Sequence, residues 1–189
     1  MIRLYDFYNE PSKDLDYSLD AAGFEGLSFA INEDGFLPDS VNSPFGMFCN
    51  FDEQEGRPRF FNEIDIPKLY RIHSTAIQSE LYNKDKMVAK FFYAEPKYRR
   101  LVKIVDWLDS DGHVIFSDHY NKYGNLFAQT HFNKKQEATL RSYFDVKHKE
   151  IVVENFKTGD VILNWRNKIY FFKNRLDFFE FYFKYLGVK

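Results

Sequence analysis

With a single cysteine, Cys49, in 189 residues, the chain has no intramolecular disulfide framework, and at this length an ordinary hydrophobic core can hold it without one. Long apolar runs are missing too. Charges cut every aromatic stretch, Ile169 to Leu186 included, well short of the roughly 20 residues that span a bilayer. The first residues, MIRLYDFYNE, carry charge where a signal peptide needs an apolar run. Together these absences predict a soluble, cytoplasmic protein, with peripheral association at the inner membrane face left open. Neither sign of charge dominates: 26 Lys and Arg stand against 28 Asp and Glu, a formal net charge of -2. No global field draws in nucleic acid. A phosphate loop is also absent, since the first strand runs into YDFYNEPS where a dinucleotide fingerprint needs G-x-G-x-x-G, and no cofactor is predicted. Aromatic residues are abundant instead, 20% of the chain with 22 Phe and 13 Tyr, which favours strands and large packing faces.

IRLYDFY alternates into a short strand, and SKDLDYSLDAAG then puts Leu15, Leu19 and Ala22 on one helical stripe, with Ser12 as its cap and Gly23 as its close. Phe24 to Asn32 follows as a strand. Strand, helix, strand is the opening of a parallel α/β layer. From Glu33 to Pro67, seven Gly and Pro positions break any long period and mark a junction. Beyond it come short strands at Ile72 to Tyr82, Lys86 to Tyr93, Tyr98 to Leu108, His113 to Tyr120, Leu126 to Phe132, Thr139 to Phe144, Ile151 to Asn155, Val161 to Trp165 and Ile169 to Phe172. Turn chemistry such as Ser110-Asp111-Gly112 and Tyr123-Gly124-Asn125 separates them and predicts an antiparallel meander. A last helix runs from the cap Asn174 to Gly187, with Leu176, Phe179, Phe183 and Leu186 as its apolar stripe, widened by Phe178, Phe181 and Tyr182. The fold class is α+β: a large antiparallel meander inserted in the start of a Rossmann-like α/β layer. Residues 1–50 form the start of that layer, 51–172 the extended sheet and 173–189 the returning helix.

Catalytic patterns fail one by one. VDWLDSDGHVIFSDHYNKYGN holds aspartates and histidines, but an EF-hand loop centred on Gly112 would place Trp107 at its first ligand position, and an indole cannot coordinate calcium. The stretch reads as a turn between two strands. His113 and His119 lie six apart in one strand, about 20 Å, too far to share an ion. Nothing local marks Cys49 as a nucleophile, and no metal site is predicted. Two E-x7-E pairs, Glu25 with Glu33 and Glu55 with Glu63, lack the structural setting such a pair has in glycosyltransferases and read as coincidence. Basic clusters such as Lys97-Tyr98-Arg99-Arg100 read as solvated strand ends.

The order of segments IRLYDFYNE, DLDYSLDAAGF, NEDGFLPDSVNSPF, RRLVKIVDWLDSDG, HYNKYGNLFAQTHF, IVVENFKTGDVIL and KNRLDFFEFYFKYL resembles the N-terminal part of the GtfB family, the B subunits of the accessory Sec glycosylation complex. GFLPD, RLVKIVDWLD and VENFKTGDVIL carry the likeness most specifically. The resemblance implies a non-catalytic chaperone of a catalytic glycosyltransferase A subunit in Gram-positive bacteria. That enzyme transfers N-acetylglucosamine from UDP-GlcNAc to Ser and Thr of serine-rich-repeat adhesins, while the B subunit positions the acceptor. Members continue beyond the length seen here, so the chain is read as an N-terminal portion, inactive by itself, whose broad aromatic helix favours self-association.

A binding module is thus the leading reading, its sheet surface and edges taking a Ser/Thr-rich polypeptide or a sister sheet. Tyr93, Trp107, Tyr120 and Tyr123 are its candidate contact residues, although ordinary sheet packing accounts for each equally well. The alternative is the acceptor-binding portion of a catalytic glycosyltransferase, an A subunit or a teichoic-acid type.

Overall fold

A computed structural model describes residues 1–187 as two sheets joined by short helices. The small sheet is parallel, with β1 (Ile2–Tyr5) beside β2 (Leu27–Ala30) and β2 beside β3 (Val41–Asn42). Helix α1 (Glu10–Ala21) makes the crossover from β1 to β2, and α2 (Pro44–Phe48) follows β3. The large sheet is a ten-stranded meander in strict chain order: β4 (Arg71–Ser74), β5 (Gln78–Asn83), β6 (Lys86–Tyr93), β7 (Val102–Leu108), β8 (Val114–Tyr120), β9 (Leu126–Phe132), β10 (Ala138–Phe144), β11 (Glu150–Asn155), β12 (Val161–Trp165) and β13 (Lys168–Phe172). Helix α3 (Arg175–Tyr185) closes the described chain. The α+β class and the extended meander are as the sequence predicts.

Several local expectations need correction. Helix α1 starts earlier than the Ser12 cap implies, because Asn9 accepts the Ser12 N–H at 3.2 Å and Pro11 sits in the first turn, where its missing N–H costs nothing. Of the stripe of Leu15, Leu19 and Ala22, Leu19 is half-buried and the other two are exposed, Leu15 by 49%. Asp16 faces the sheet instead, since buried Arg3 on β1 needs a carboxylate above it. Ile72 to Tyr82 is two strands, split where the Thr75 hydroxyl accepts the Ile77 and Gln78 N–H groups at 3.2 Å each. On α3, Asn174 does cap, accepting the Asp177 N–H at 2.9 Å. The buried residues there are Phe178 and Tyr182, one turn apart, whereas Leu176 is exposed. With aromatics all around the helix, position in the fold and not periodicity chooses the buried face.

Opposite faces of the large sheet hold separate cores. Pairing runs across the strands from Val153 through Ser142, Gln129 and Asp118 to Val105 and Phe91, so these share one face. Tyr143, Val152 and Leu163 share the other, beneath α2 and α3. Their core is aromatic, with Phe45 stacked on Tyr143 at 4.2 Å and Phe48 and Phe178 beside them. At the β4 to β8 end the first of these faces, that of Val105 and Phe91, packs Leu81, Phe91, Val102 and Val105 under residues 60–70, including Phe61 and Ile64.

Two devices tie the sheets together. Arg175, at the start of α3, donates to Asn32 Oδ1 at 2.8 Å and to the Ile31 carbonyl at 3.0 Å, and its Nε lies 2.9 Å from Glu154 Oε1 on β11. That last approach is an ion pair without in-line hydrogen-bond geometry. Glu154, itself buried, also accepts from the Tyr143 hydroxyl at 2.8 Å. The second device is a glycine pair. A Cβ on Gly56 would fall against the Tyr123 carbonyl, and one on Gly124 against the Arg57 carbonyl, so the junction and the β8–β9 turn touch backbone to backbone.

Candidate functional site

Past the end of β2, the chain turns through Glu33, Asp34 and Gly35 into the space between the sheets. Gly35 has a φ of +80°, and a Cβ there would fall 2.6 Å from the Phe127 ring and 2.8 Å from the Tyr120 carbonyl, so only glycine fills the position. Phe127 is the extra residue of a bulge in β9, which turns its ring toward the aromatic core. Lys122, in the β8–β9 turn, donates its N–H to the Gly35 carbonyl and its Nζ to the Leu37 carbonyl, both at 2.8 Å. These contacts frame a cavity of about 380 Å³ at the carboxyl ends of β2 and β3, lined by Glu33, Ser43, Asp52, Lys122, Tyr123 and Tyr182 among others. In α/β sheets this is the end where ligands bind.

Its electrostatics are uneven. Burial pushes the Glu33 carboxyl up to about 7, against the Gly35 N–H and Ser43 hydroxyl, which favour the ionised form. Gly35 N–H lies 2.8 Å from Glu33 Oε1, and Gly46 leaves room for Oε2, since a Cβ there would come within 3.2 Å of it. Burial, then the charge of Asp52, raises the Tyr182 phenol far above its ordinary value. Burial opposes the charge on Lys122, but its ion pair with Asp39 outweighs this and raises its pKa. The site therefore offers a buried carboxylate, a buried phenol and an ammonium already engaged elsewhere.

Of the four aromatics singled out from the sequence, only Tyr123 lines this cavity, half-buried with Lys122 Nζ 5.4 Å from its ring centre. Tyr93 is 5% exposed and hydrogen-bonds Ser79 and Ser74. Tyr120 is 7% exposed beneath the Arg59 guanidinium. Trp107 is half-buried, its indole donating to Asp118 Oδ2 at 2.7 Å. The structure does not bring the four together. Glu33 and Tyr182 were missed as a pair because they come from opposite ends of the chain; the one local hint is an acid just past a strand end, in NEDGF. Glu25, its partner in the E-x7-E spacing, lies exposed at the other end of β2.

Asp109, Asp111 and His113 bring three ligand-type atoms within 4.8 Å of one another at the β7–β8 turn. Asp109 Oδ1 already accepts the Asp111 and His113 N–H groups at 2.8 and 3.0 Å, the geometry of a turn cap. His119 is half-buried beside Thr130, and desolvation, with Arg141 and Lys103 nearby, lowers its pKa to about 3. It is neutral at ordinary pH.

Residues 70–173 match the GtfB middle domain and residues 2–48 the GtfB N-terminal domain. The chain belongs to the GtfB family. One GtfB relative, the "UDP-N-acetylglucosamine--peptide N-acetylglucosaminyltransferase stabilizing protein" of Streptococcus agalactiae, is 49% identical over 187 residues, 99% of this chain and 42% of the relative. The crystal structure of a GtfA/B complex bound to UDP and GlcNAc contains a chain that superposes with a TM-score of 0.94 at 37% identity, over all of this chain and 43% of that one. This GtfB-family chain thus spans about two-fifths of the length of the relatives it matches. The pneumococcal O-GlcNAc transferase GtfA, at 10% identity and a TM-score of 0.67 over 98% of this chain and 41% of its own, shares the fold alone.

Proposed function

We propose that this chain is the N-terminal binding portion of a GtfB-type subunit, without catalytic residues of its own, that stabilises a GtfA-type glycosyltransferase and holds a Ser/Thr-rich adhesin polypeptide for O-GlcNAc transfer in the cytoplasm. The likeness to GtfB stabilizing proteins along the whole chain is the observation that carries this reading. Residues 1–50 and 173–189, the last two of which lie outside the described residues, serve as the Rossmann-like base and 51–172 as the extended sheet. Tyr123 at the cavity and the half-buried Trp107 are the aromatic contacts that retain accessible surface, whereas Tyr93 and Tyr120 hold the sheet's second core. Edge strands β4 and β13 offer unpaired backbone groups to a sister sheet.

The test is reconstitution with a GtfA-type transferase, UDP-GlcNAc and a serine-rich peptide. The chain alone should transfer no sugar, while its addition should raise the transferase's thermal midpoint and its peptide turnover. Transfer by the chain alone would reverse the assignment toward a catalytic subunit.

A further inference from the structure

The chain has two Asp-Gly pairs, Asp34-Gly35 and Asp111-Gly112, and the fold treats them in opposite ways. In such a pair the glycine nitrogen can attack the carboxyl of the aspartate before it, because glycine has no Cβ to obstruct the approach. The amide proton and the carboxyl OH leave as water, and a cyclic imide forms. Water then opens the imide. Opening at the main-chain carbonyl leaves the backbone running through the side-chain carboxyl, as isoaspartate. The net change is an isomerisation, so no oxidant, cofactor or second protein enters the balance. It needs a free nitrogen and a free carboxyl.

At Asp34-Gly35 both reactants are held. The Gly35 N–H donates to Glu33 Oε1 at 2.8 Å, while the Asp34 carboxylate accepts the Phe36 N–H at 2.8 Å and the Lys103 ammonium at 2.6 Å. Gly35 is itself buried, with the Phe127 ring where a Cβ would lie.

The β7–β8 turn is the reverse case. Asp111, Gly112 and His113 are all exposed, and the Asp111 carboxylate accepts no hydrogen bond and joins no ion pair among the described residues. Asp109 Oδ1 holds the N–H groups on either side, of Asp111 and His113, at 2.8 and 3.0 Å. The Gly112 N–H between them reaches only the Asp109 carbonyl, at 3.4 Å, beyond the usual range of such a bond. Open space surrounds it, since a Cβ on Gly112 would meet nothing within 4 Å.

We propose that Asp111-Gly112 is a site of spontaneous isoaspartate formation in the folded chain, and that the packed corner of Glu33, Asp34 and Gly35 is protected from the same reaction. Each conversion adds one main-chain carbon between the two N–H groups that Asp109 Oδ1 accepts.

The test is prolonged incubation of the folded chain at physiological temperature and mildly acidic pH, where part of the aspartate carries the proton it must lose, beside a sample unfolded in guanidinium chloride. Peptide mapping by mass spectrometry with electron-transfer fragmentation reads isoaspartate at each position. In the folded chain, conversion is expected to be at least about tenfold faster at Asp111 than at Asp34, since a local opening that costs about 1.4 kcal/mol already slows the protected pair by that factor. In guanidinium chloride the two pairs should convert at comparable rates. Equal rates in the folded chain, or no isoaspartate at Asp111 there, would overturn the assignment. So would the same preference for Asp111 in the unfolded chain, because neighbouring residues and not the fold would then choose the site.

Discussion

Beneath the ten-stranded sheet, the rings of Phe45, Phe48, Phe178 and Tyr182 fill the space under α2 and α3, whereas beneath the three-stranded sheet Asp16 occupies that place. It accepts from Arg3 at 3.0 Å, Tyr5 at 2.5 Å, and Tyr8 and Ser28 at 2.8 Å each. The other face of the small sheet exposes Ile2, Leu4 and Leu27. Parallel sheets ordinarily bury both faces; here Phe29, Ala30 and Val41 of β2 and β3 are buried, but β1 buries no apolar side chain, so that edge of the small sheet draws little stability from apolar surface. It depends on directional polar contacts and on its attachment to the large sheet. The meander, closed by local turns and two cores, holds itself.

Breaking the attachment should have the largest effect. Arg175→Met leaves Glu154 buried beside Tyr143 without its cation and frees Ile31 and Asn32, so a loss of about 3–5 kcal/mol is expected in denaturant unfolding. Hydrogen exchange should then protect β5 to β12 far better than β1 and β2; uniform loss would mean that the sheets unfold as one.

Next in size is a pH effect. Glu33 has a folded value near 7, above its unfolded value of 4.5, so between these the folded state binds more protons and this group's contribution to stability falls as pH rises. Glu33→Gln removes that decline. The stability of the variant minus that of the parent should climb by about 3 kcal/mol between pH 4.5 and pH 8, the opposing titration of His119 cancelling because both proteins carry it. A difference that stays flat with pH would contradict the burial of Glu33.

Asp16→Asn should cost about 1–3 kcal/mol, since an amide cannot accept from four donors at once. The unfolding midpoint reads it directly. Leu15→Ser, on the solvent side of the same helix, should stay within about 0.5 kcal/mol. If Leu15 proved the costlier of the two, the apolar stripe read from the sequence would be the buried one after all.

That stripe shows where sequence reasoning reached its limit. The meander was legible because its turns are written locally: Gly112, Gly124 and Gly159 have positive φ at the positions where turn chemistry asks for it, and β9 and β12 begin and end where their alternation does. Thr75 broke a strand with a side-chain hydroxyl, a signal that alternation does not carry. Helix α1 misled because Leu15 and Leu19 follow the helical period while the buried partner of Asp16, Arg3, sits on another element. The cavity was the least legible. Its lining comes from β2's exit, the β8–β9 turn and α3, segments far apart in the chain that no local spacing links.

The glycine pair at the junction carries an evolutionary consequence. Loop tips usually absorb insertions and bulky replacements freely. The turn holding Gly124 is not such a tip, because any side chain at Gly56 or Gly124 must displace the main chain facing it. Replacing both at once offers no escape, since each meets a different carbonyl. Changes in this region are therefore coupled by steric exclusion: a side chain gained by the turn requires the linker facing it to retreat, and one gained by the linker requires the turn to do so.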